Sequence, residues 1–329
     1  MNDRFLNEHR REPRPEFAGA LHQRLRAQGE AGEIAAERRR PLRLALVAAC
    51  AVIAIGAAFM LPAVRASAQA FLDLFRVRNF TAVTVSETRL KQLRDGKVDL
   101  QSVLGGPVEK VKDGGAPRPL HSVGEAMPVL GYLPKTPTRL PAGLAADTVW
   151  VHDASEANVT LDTHKLRDVL ETLDIRDVIV PDQLNGQRVT VRVAPVVTQE
   201  FHGGDRRAAL IQSRSPEVAL PPGADLAQLG EIGLRIIGLD ANQARSLARS
   251  IDWRSTAVVP VPANVGAFRE VDVNGHRGLM VTCTAPDAKK GDGGRRAGTV
   301  ILWSEDDMVF ALSSDVGNVD LLDMANSIR

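Results

Sequence analysis

The longest apolar stretch of the chain is residues 44–64, which contain no charged side chain and are flanked by arginines on both sides. A helix of this length reaches about 31 Å, which matches a hydrocarbon core of roughly 30 Å. The pattern therefore predicts one transmembrane helix. A cleaved signal peptide is the alternative, because Ala66, Ser67 and Ala68 fit a cleavage site. The long preceding arm and the length of the apolar run both favour an uncleaved span.

The distribution of arginine predicts the orientation of this span. Residues 1–43 form an arginine-rich arm with a triple arginine at 38–40, although arginines also follow the span closely. Basic residues beside a span tend to stay in the cytoplasm. We therefore expect a single-pass protein of the inner membrane, with the N-terminus inside and the C-terminal part outside.

One face of the arm is apolar. Phe17, Leu21 and Leu25 recur every four residues along a helix predicted over residues 15–38, and the other faces carry charged and polar side chains. A narrow apolar stripe on a polar helix is typical of a docking surface. We predict that these three residues bind a cytoplasmic partner, and a helix lying on anionic lipid is the alternative.

Beyond the span, the pattern predicts a juxtamembrane helix over residues 65–78 and an extracytoplasmic domain over residues 79–329. Phe71, Leu72 and Phe75 form an apolar cluster expected to join the span rigidly to this domain. Short strands and short helices alternate along the domain. This order is typical of an α+β fold in which helices cover one face of an antiparallel sheet.

Local signals place several elements of the domain. Residues 188–193 alternate valine with polar side chains, which predicts a half-buried strand, and Asn274-Gly275 is a strong hairpin signal. Ser122 and Glu125 have the spacing of a helix capping box. The remaining elements are a strand at 80–86, a helix near 87–94, a turn ended by Pro128, a strand at 159–161 paired with that around Trp150, a hairpin at 196–212, a strand at 256–261, a hairpin turn at 305–307, and helices at 163–173, 225–236, from Asp240 and at 319–328.

The number of domains outside the membrane is open at this point. One interpretation is two subdomains with a boundary in the proline-rich stretch 216–222. The other is a single domain in which all the strands form one antiparallel sheet.

Composition excludes several classes of function. The 41 basic and 40 acidic residues nearly cancel, which gives no reason to expect a nucleic-acid partner. Cys50 lies in the apolar run and Cys283 in the domain, so a disulfide between them and a thiolate metal site are not expected. The chain has no HExxH, HxH or GxxxxGK[ST] motif. His202 precedes two glycines, but without a GxSxG motif this run predicts a hairpin turn. We therefore predict a non-enzymatic protein without a metal or cofactor.

Small residues at four-residue spacing occur inside the apolar run and would let two such helices pack closely, which makes a homodimer an open alternative. They are Ala45 with Ala49, and Ala54 with Ala58.

Three segments resemble membrane-anchored anti-sigma-factor regulators of bacteria. They are PRPEFAGALHQRLRAQ at 13–28, ASAQAFLDLFRVRNFTAV at 66–83, and a tail comprising IDWRSTAVVPVP at 251–262, EVDVNGHRGLM at 270–280 and the last thirty residues. The last of these resembles an uncharacterised ectodomain attached to such regulators. The arm lacks the H-x-x-x-C-x-x-C signature of zinc-type anti-sigma domains.

The resemblance implies extracytoplasmic sensing coupled to a cytoplasmic helix that binds a partner, with a sigma factor as the expected partner. The alternative is a membrane-anchored envelope module that binds a lipid or another hydrophobic ligand, with the arm serving only as an anchor.

Overall fold

The computed structural model of the chain describes residues 74–86, 88–89, 92, 108–221, 224–263, 266–283 and 298–329. All of them belong to one unit, Ala51–Arg329. The predicted arm and the predicted span lie outside the described residues. Within the described residues, no helix combines the length and the apolar character needed to cross a bilayer.

The described elements are mostly strands. The strands are β1 Leu74–Arg76, β2 Asn79–Val85, β3 Val108–Lys112, β4 Arg118–Leu120, β5 Ala145–His152, β6 Ser155–Thr160, β7 Arg188–Val193, β8 Val196–Gly203, β9 Arg206–Arg214, β10 Glu217–Ala219, β11 Thr256–Pro262, β12 Gly266–Val273, β13 His276–Cys283, β14 Gly298–Glu305 and β15 Met308–Ser314. The helices are α1 Met127–Leu130, α2 Thr163–Thr172, α3 Leu226–Ile236, α4 Ala241–Ser250 and α5 Asn318–Asn326, with 3₁₀ turns at Val123–Ala126 and Asp182–Leu184.

The strands form three sheets. The large sheet has eight strands in the order β12-β13-β14-β15-β9-β8-β5-β4, and the small sheet has five in the order β1-β10-β7-β6-β3. All neighbours in both sheets are antiparallel. Strands β2 and β11 form a separate parallel pair. The predicted α+β character is thus confirmed in its coarse form, whereas the strands divide among three sheets instead of forming one.

One core lies between the large sheet and α5. Phe310 and Leu312 of β15 are buried in the same cluster as Leu321 and Met324 of α5. The Trp303 ring stacks on Phe310, with centroids 5.0 Å apart and an interplanar angle of 7°. The alternation of the strand residues places these side chains on one face, and the helix covers that face.

A second core joins the small sheet to α3 and α4. Phe75 of β1 and Val218 of β10 are buried in one cluster with Ala244 and Ala248 of α4 and with Trp253. The Trp253 Nε1 donates a hydrogen bond of 2.6 Å to the carbonyl of Ala248. The helices therefore cover more than one sheet and are not gathered on a single face.

Several local predictions are confirmed. Asn274 and Gly275 join β12 to β13 with φ values of 52° and 84°, which is the left-handed geometry of a two-residue hairpin turn. Asp225 and Asp240 cap α3 and α4, and each side chain accepts two backbone N–H groups. Strand β7 and helix α2 also lie where the pattern places them.

The predicted juxtamembrane helix over residues 65–78 is wrong at its C-terminal end. Leu74–Arg76 is strand β1, and residues 65–73 lie outside the described residues. Phe75 is buried in a core of sheet and helix residues. A short apolar run fits a buried strand as well as a helix, and tertiary pairing decides between them.

Three further expectations are also corrected: the pairing of the strand at 159–161, the place of Pro128 and the capping box of Ser122 and Glu125. Residues Ser155–Thr160 do not pair with the strand around Trp150, because β6 lies in the small sheet and β5 in the large one. Pro128 does not end a turn but lies in the first turn of α1, where its missing N–H costs no hydrogen bond. The Glu125 carboxylate accepts the N–H of His121, although the Ser122 side chain makes no backbone cap.

The proline-rich stretch 216–222 is not a linker along its described central part. Glu217–Ala219 is strand β10, which pairs with β1 on one side and with β7 on the other. The central part of the stretch therefore lies in the small sheet.

Candidate functional site

The first described strand ties several parts of the domain together. Phe75 is 0% exposed and lies opposite Val218 of β10. The N–H of Arg76 donates a 3.0 Å hydrogen bond to the carbonyl of Arg254, just before β11. The Val77 N–H donates a buried 2.6 Å hydrogen bond to the Oγ of Ser215. Residues 75–77 thus contact the small sheet and the segments beside β9 and β11.

The side chain of Arg76 adds a charged link between two sheets. Its guanidinium contacts Glu217 of β10 at 3.0 Å and Asp307, in the turn between β14 and β15, at 3.2 Å. The Arg76 side chain is 40% exposed, so each ion pair contributes only about 1 kcal/mol or less. The buried Phe75 and the backbone hydrogen bonds therefore hold this segment more firmly than its charges do.

The chain then continues directly into the parallel pair. The N–H groups of Arg78 and Asn79 both donate to the carbonyl of Ser255, at 2.7 and 2.9 Å, and β2 runs beside β11 from there. The Oγ of Ser304, in β14, donates to the carbonyl of Arg78. The segment from Leu74 to Asn79, here called the β1 tie, therefore has partners in both larger sheets.

A second feature is a polar cluster where β5 and β8 lie side by side. Glu200 and His202 are two residues apart in β8 and so project from the same face of the strand. Ala146 of β5 pairs with Phe201 and Val149 pairs with Gln199. Two residues of β5, Asp147 and Thr148, therefore lie opposite the single residue Glu200, which makes a β-bulge. A bulge of this kind re-aims a side chain.

The bulge brings Asp147 onto His202. The Nδ1 of His202 lies 2.6 Å from the Oδ2 of Asp147. One ligand atom from each of Asp147, Glu200 and His202 lies within 4.8 Å of the other two. The side chains of His202 and Asp147 are 35% and 50% exposed, so the cluster opens to solvent on one side.

Glu200 is the most buried carboxylate of this cluster. Burial raises its pKa, while the Trp150 indole, His202 and Arg207 favour its charged form and Asp147 opposes it. The Nε1 of Trp150 is itself buried and makes no hydrogen bond of acceptable geometry, although it lies close enough to lower the pKa of Glu200. Glu200 is thus a carboxylate held partly out of water with an indole N–H beside it.

None of the residues that the sequence pointed to as binding sites falls in the described part of the chain. The partner-binding stripe, Phe17, Leu21 and Leu25, lies outside it, as do the span alanines Ala45, Ala49, Ala54 and Ala58.

Sequence reasoning missed the polar cluster, and it predicted no metal site. The available signal was Glu200-Phe201-His202, because two ligand-type side chains at i and i+2 share a face of a strand. Asp147 gave no such signal, since it lies 55 residues from His202 in the chain.

No family model, no curated protein and no solved structure matches the chain.

Proposed function

We propose that the chain is a single-pass membrane regulator of the anti-sigma-factor type. In this proposal residues 44–64 cross the inner membrane, residues 1–43 hold a cytoplasmic partner, and the described domain lies outside. The partner is a sigma factor, held by the apolar stripe of Phe17, Leu21 and Leu25.

The β1 tie is the structural observation that supports the proposal best. Only residues 65–73 separate the predicted span from β1. A chain of that length reaches at most about 35 Å, so the domain would lie close to the membrane surface. Because the tie has partners in both larger sheets, a rearrangement between those sheets moves the point where the chain enters the domain.

The charge pattern of the tie fits this role. Arg76 contacts Glu217 of the small sheet and Asp307 of the large sheet at the same time. A change that separates these two carboxylates must break at least one contact of Arg76. Coupling of this kind needs an element with two arrangements, and the tie is a candidate for that element.

The experiment that tests the partner-binding step uses full-length protein in its own membranes. Affinity capture after gentle solubilisation is expected to recover a sigma factor from the host cell. Leu21→Glu should abolish recovery, because it places a charge in the apolar stripe. The matched control is Gln23→Glu, which adds the same charge to the opposite, polar side of the predicted helix and should leave recovery unchanged.

Two results would contradict the proposal. One is recovery of no transcription factor, or equal recovery with Leu21→Glu. The other is a mature protein that begins near Gln69 and fractionates away from membranes, because no link to the cytoplasm would then exist.

A further inference from the structure

The polar cluster between β5 and β8 has the composition of a metal site. We propose that Asp147, Glu200 and His202 bind a first-row transition-metal dication of the Zn²⁺ class. The inference is independent of the membrane topology, because all three residues belong to the described domain.

The backbone of β8 sets the positions of two of the three ligands. Glu200 and His202 stand on one face of β8, a strand paired on both sides, with β5 and with β9. Sites built on paired strands are more rigid than sites on loops. The third ligand, Asp147, comes from the bulge of β5, where it has more freedom to adjust.

The distances fit a metal after a small adjustment. Bonds of about 2.0–2.2 Å to nitrogen and oxygen put tetrahedral ligands about 3.4 Å apart. The three ligand atoms already lie within 4.8 Å of one another, and the 2.6 Å contact between His202 and Asp147 is a hydrogen bond. A metal that replaces this hydrogen bond needs Asp147 to retreat by roughly 1 Å. Its side chain is half exposed and can do so.

The donor set selects the kind of metal. An imidazole nitrogen with two carboxylate oxygens suits Zn²⁺ and its neighbours, whereas Mg²⁺ and Ca²⁺ prefer oxygen ligands alone. Three protein ligands leave a fourth position for water or for an outside ligand. The open side of the cluster faces solvent, as such a position requires.

The surrounding charges are compatible with a bound dication. Two carboxylates and one neutral imidazole would balance the charge of the metal. One cation near the cluster is Arg207, which lies opposite His202 in β9 and acts on Glu200. It lowers the affinity for a metal, but the two carboxylates outweigh it in number. The buried Nε1 of Trp150, which lacks a hydrogen bond, can donate to an oxygen of Glu200 or to a water on the metal.

The test uses full-length protein in mild detergent, stripped with chelator and titrated with Zn²⁺ by calorimetry and with Co²⁺ by absorption spectroscopy. We expect one tight site that survives excess Mg²⁺. Asp147→Asn, Glu200→Gln and His202→Asn should each weaken binding at least tenfold, by removing one of only three protein ligands. His164→Asn and Glu171→Gln, exposed on α2, are the matched controls and should bind as the parent does.

Asp147→Asn keeps the proposal falsifiable even if the more buried variants fold poorly, because Asp147 is half exposed. Tryptophan fluorescence verifies folding of each variant. The proposal is overturned if no stoichiometric Zn²⁺ binds, if Asp147→Asn binds like the parent, or if Mg²⁺ competes equally. Failure here leaves the sigma-factor capture unaffected, and failure of that capture leaves the metal titration unaffected, so the two proposals are tested separately.

Discussion

Phe75 is the buried anchor of the β1 tie, and its truncation gives the sharpest test of the fold. The side chain is 0% exposed and belongs to a core that also contains Val218 and Trp253. Phe75→Ala removes a buried ring and leaves a cavity, which costs about 3–5 kcal/mol. A domain is stable by only about 5–15 kcal/mol in total, so this loss is a large share.

The loss should also fall on one segment more than on the rest. Strand β1 is three residues long and lies at the edge of the small sheet. The partly exposed ion pairs of Arg76 are too weak to hold it once the ring has gone. We therefore expect β1 to detach before the remaining strands unfold, since poorly anchored edges open at lower free energy than the core.

The measurement is urea unfolding of the full-length protein in mild detergent, followed by tryptophan fluorescence. All three tryptophans, Trp150, Trp253 and Trp303, lie in described strands or turns, so the signal reports on this domain. Limited trypsin digestion in native buffer then monitors cleavage after Arg76 and Arg78, which should become faster in the variant.

Phe268→Ala is the matched control. Phe268 lies on the edge strand β12 and is 43% exposed, so its truncation should cost less than about 1 kcal/mol. The reasoning is refuted if Phe75→Ala costs no more than Phe268→Ala, or if the rate of trypsin cleavage after Arg76 does not change.

Three further predictions follow from single contacts. Gly230→Ala in α3 places a Cβ on the buried indole of Trp253 and should destabilise the domain by about 1–3 kcal/mol despite the better helix propensity of alanine; a thermal midpoint equal to that of the parent would contradict this. Asp225→Ala removes the cap that accepts two N–H groups at the start of α3 and should lower the free energy of unfolding by about 1 kcal/mol in urea titrations. Tyr132 is the single tyrosine, and burial raises its pKa to about 12, so its near-ultraviolet titration should lie well above that of the urea-unfolded chain. Because the folded pKa is the higher one, stability should fall as pH rises from about 10 to 12, and coincident folded and unfolded titrations would exclude this effect.

Local structure could be predicted from the sequence wherever a short-range signal determines it. Asn274-Gly275 gives the hairpin because few other residues tolerate its left-handed geometry. Asp225 and Asp240 give the starts of α3 and α4 because their side chains satisfy backbone donors that the helix leaves open. These signals act over three or four residues and do not depend on the rest of the chain.

Pairing between distant segments could not be predicted from the sequence. Strand β2 runs parallel to β11, and no local pattern in either segment indicates that the two pair. Leu74–Arg76 looked helical because its apolar neighbours fit both periods, and only the pairing with β10 decides for a strand. Only part of the polar cluster could be predicted. The spacing of Glu200 and His202 places both on one face of a strand, but Asp147 comes from a bulge in a distant part of the sequence.

The β1 tie also has a consequence for how the domain folds. Arg76 and Glu217 are 141 positions apart in the sequence, and β2 and β11 are separated by more residues still. As the chain is synthesised from its N-terminus, β1 and β2 emerge first and have no partners for most of that time. Their apolar side chains, such as Phe75 and Val83, remain uncovered until the middle and late strands arrive. Folding of this domain is therefore expected to be slow and to finish only after nearly the whole chain is made, and a chaperone that shields these first strands would raise its yield.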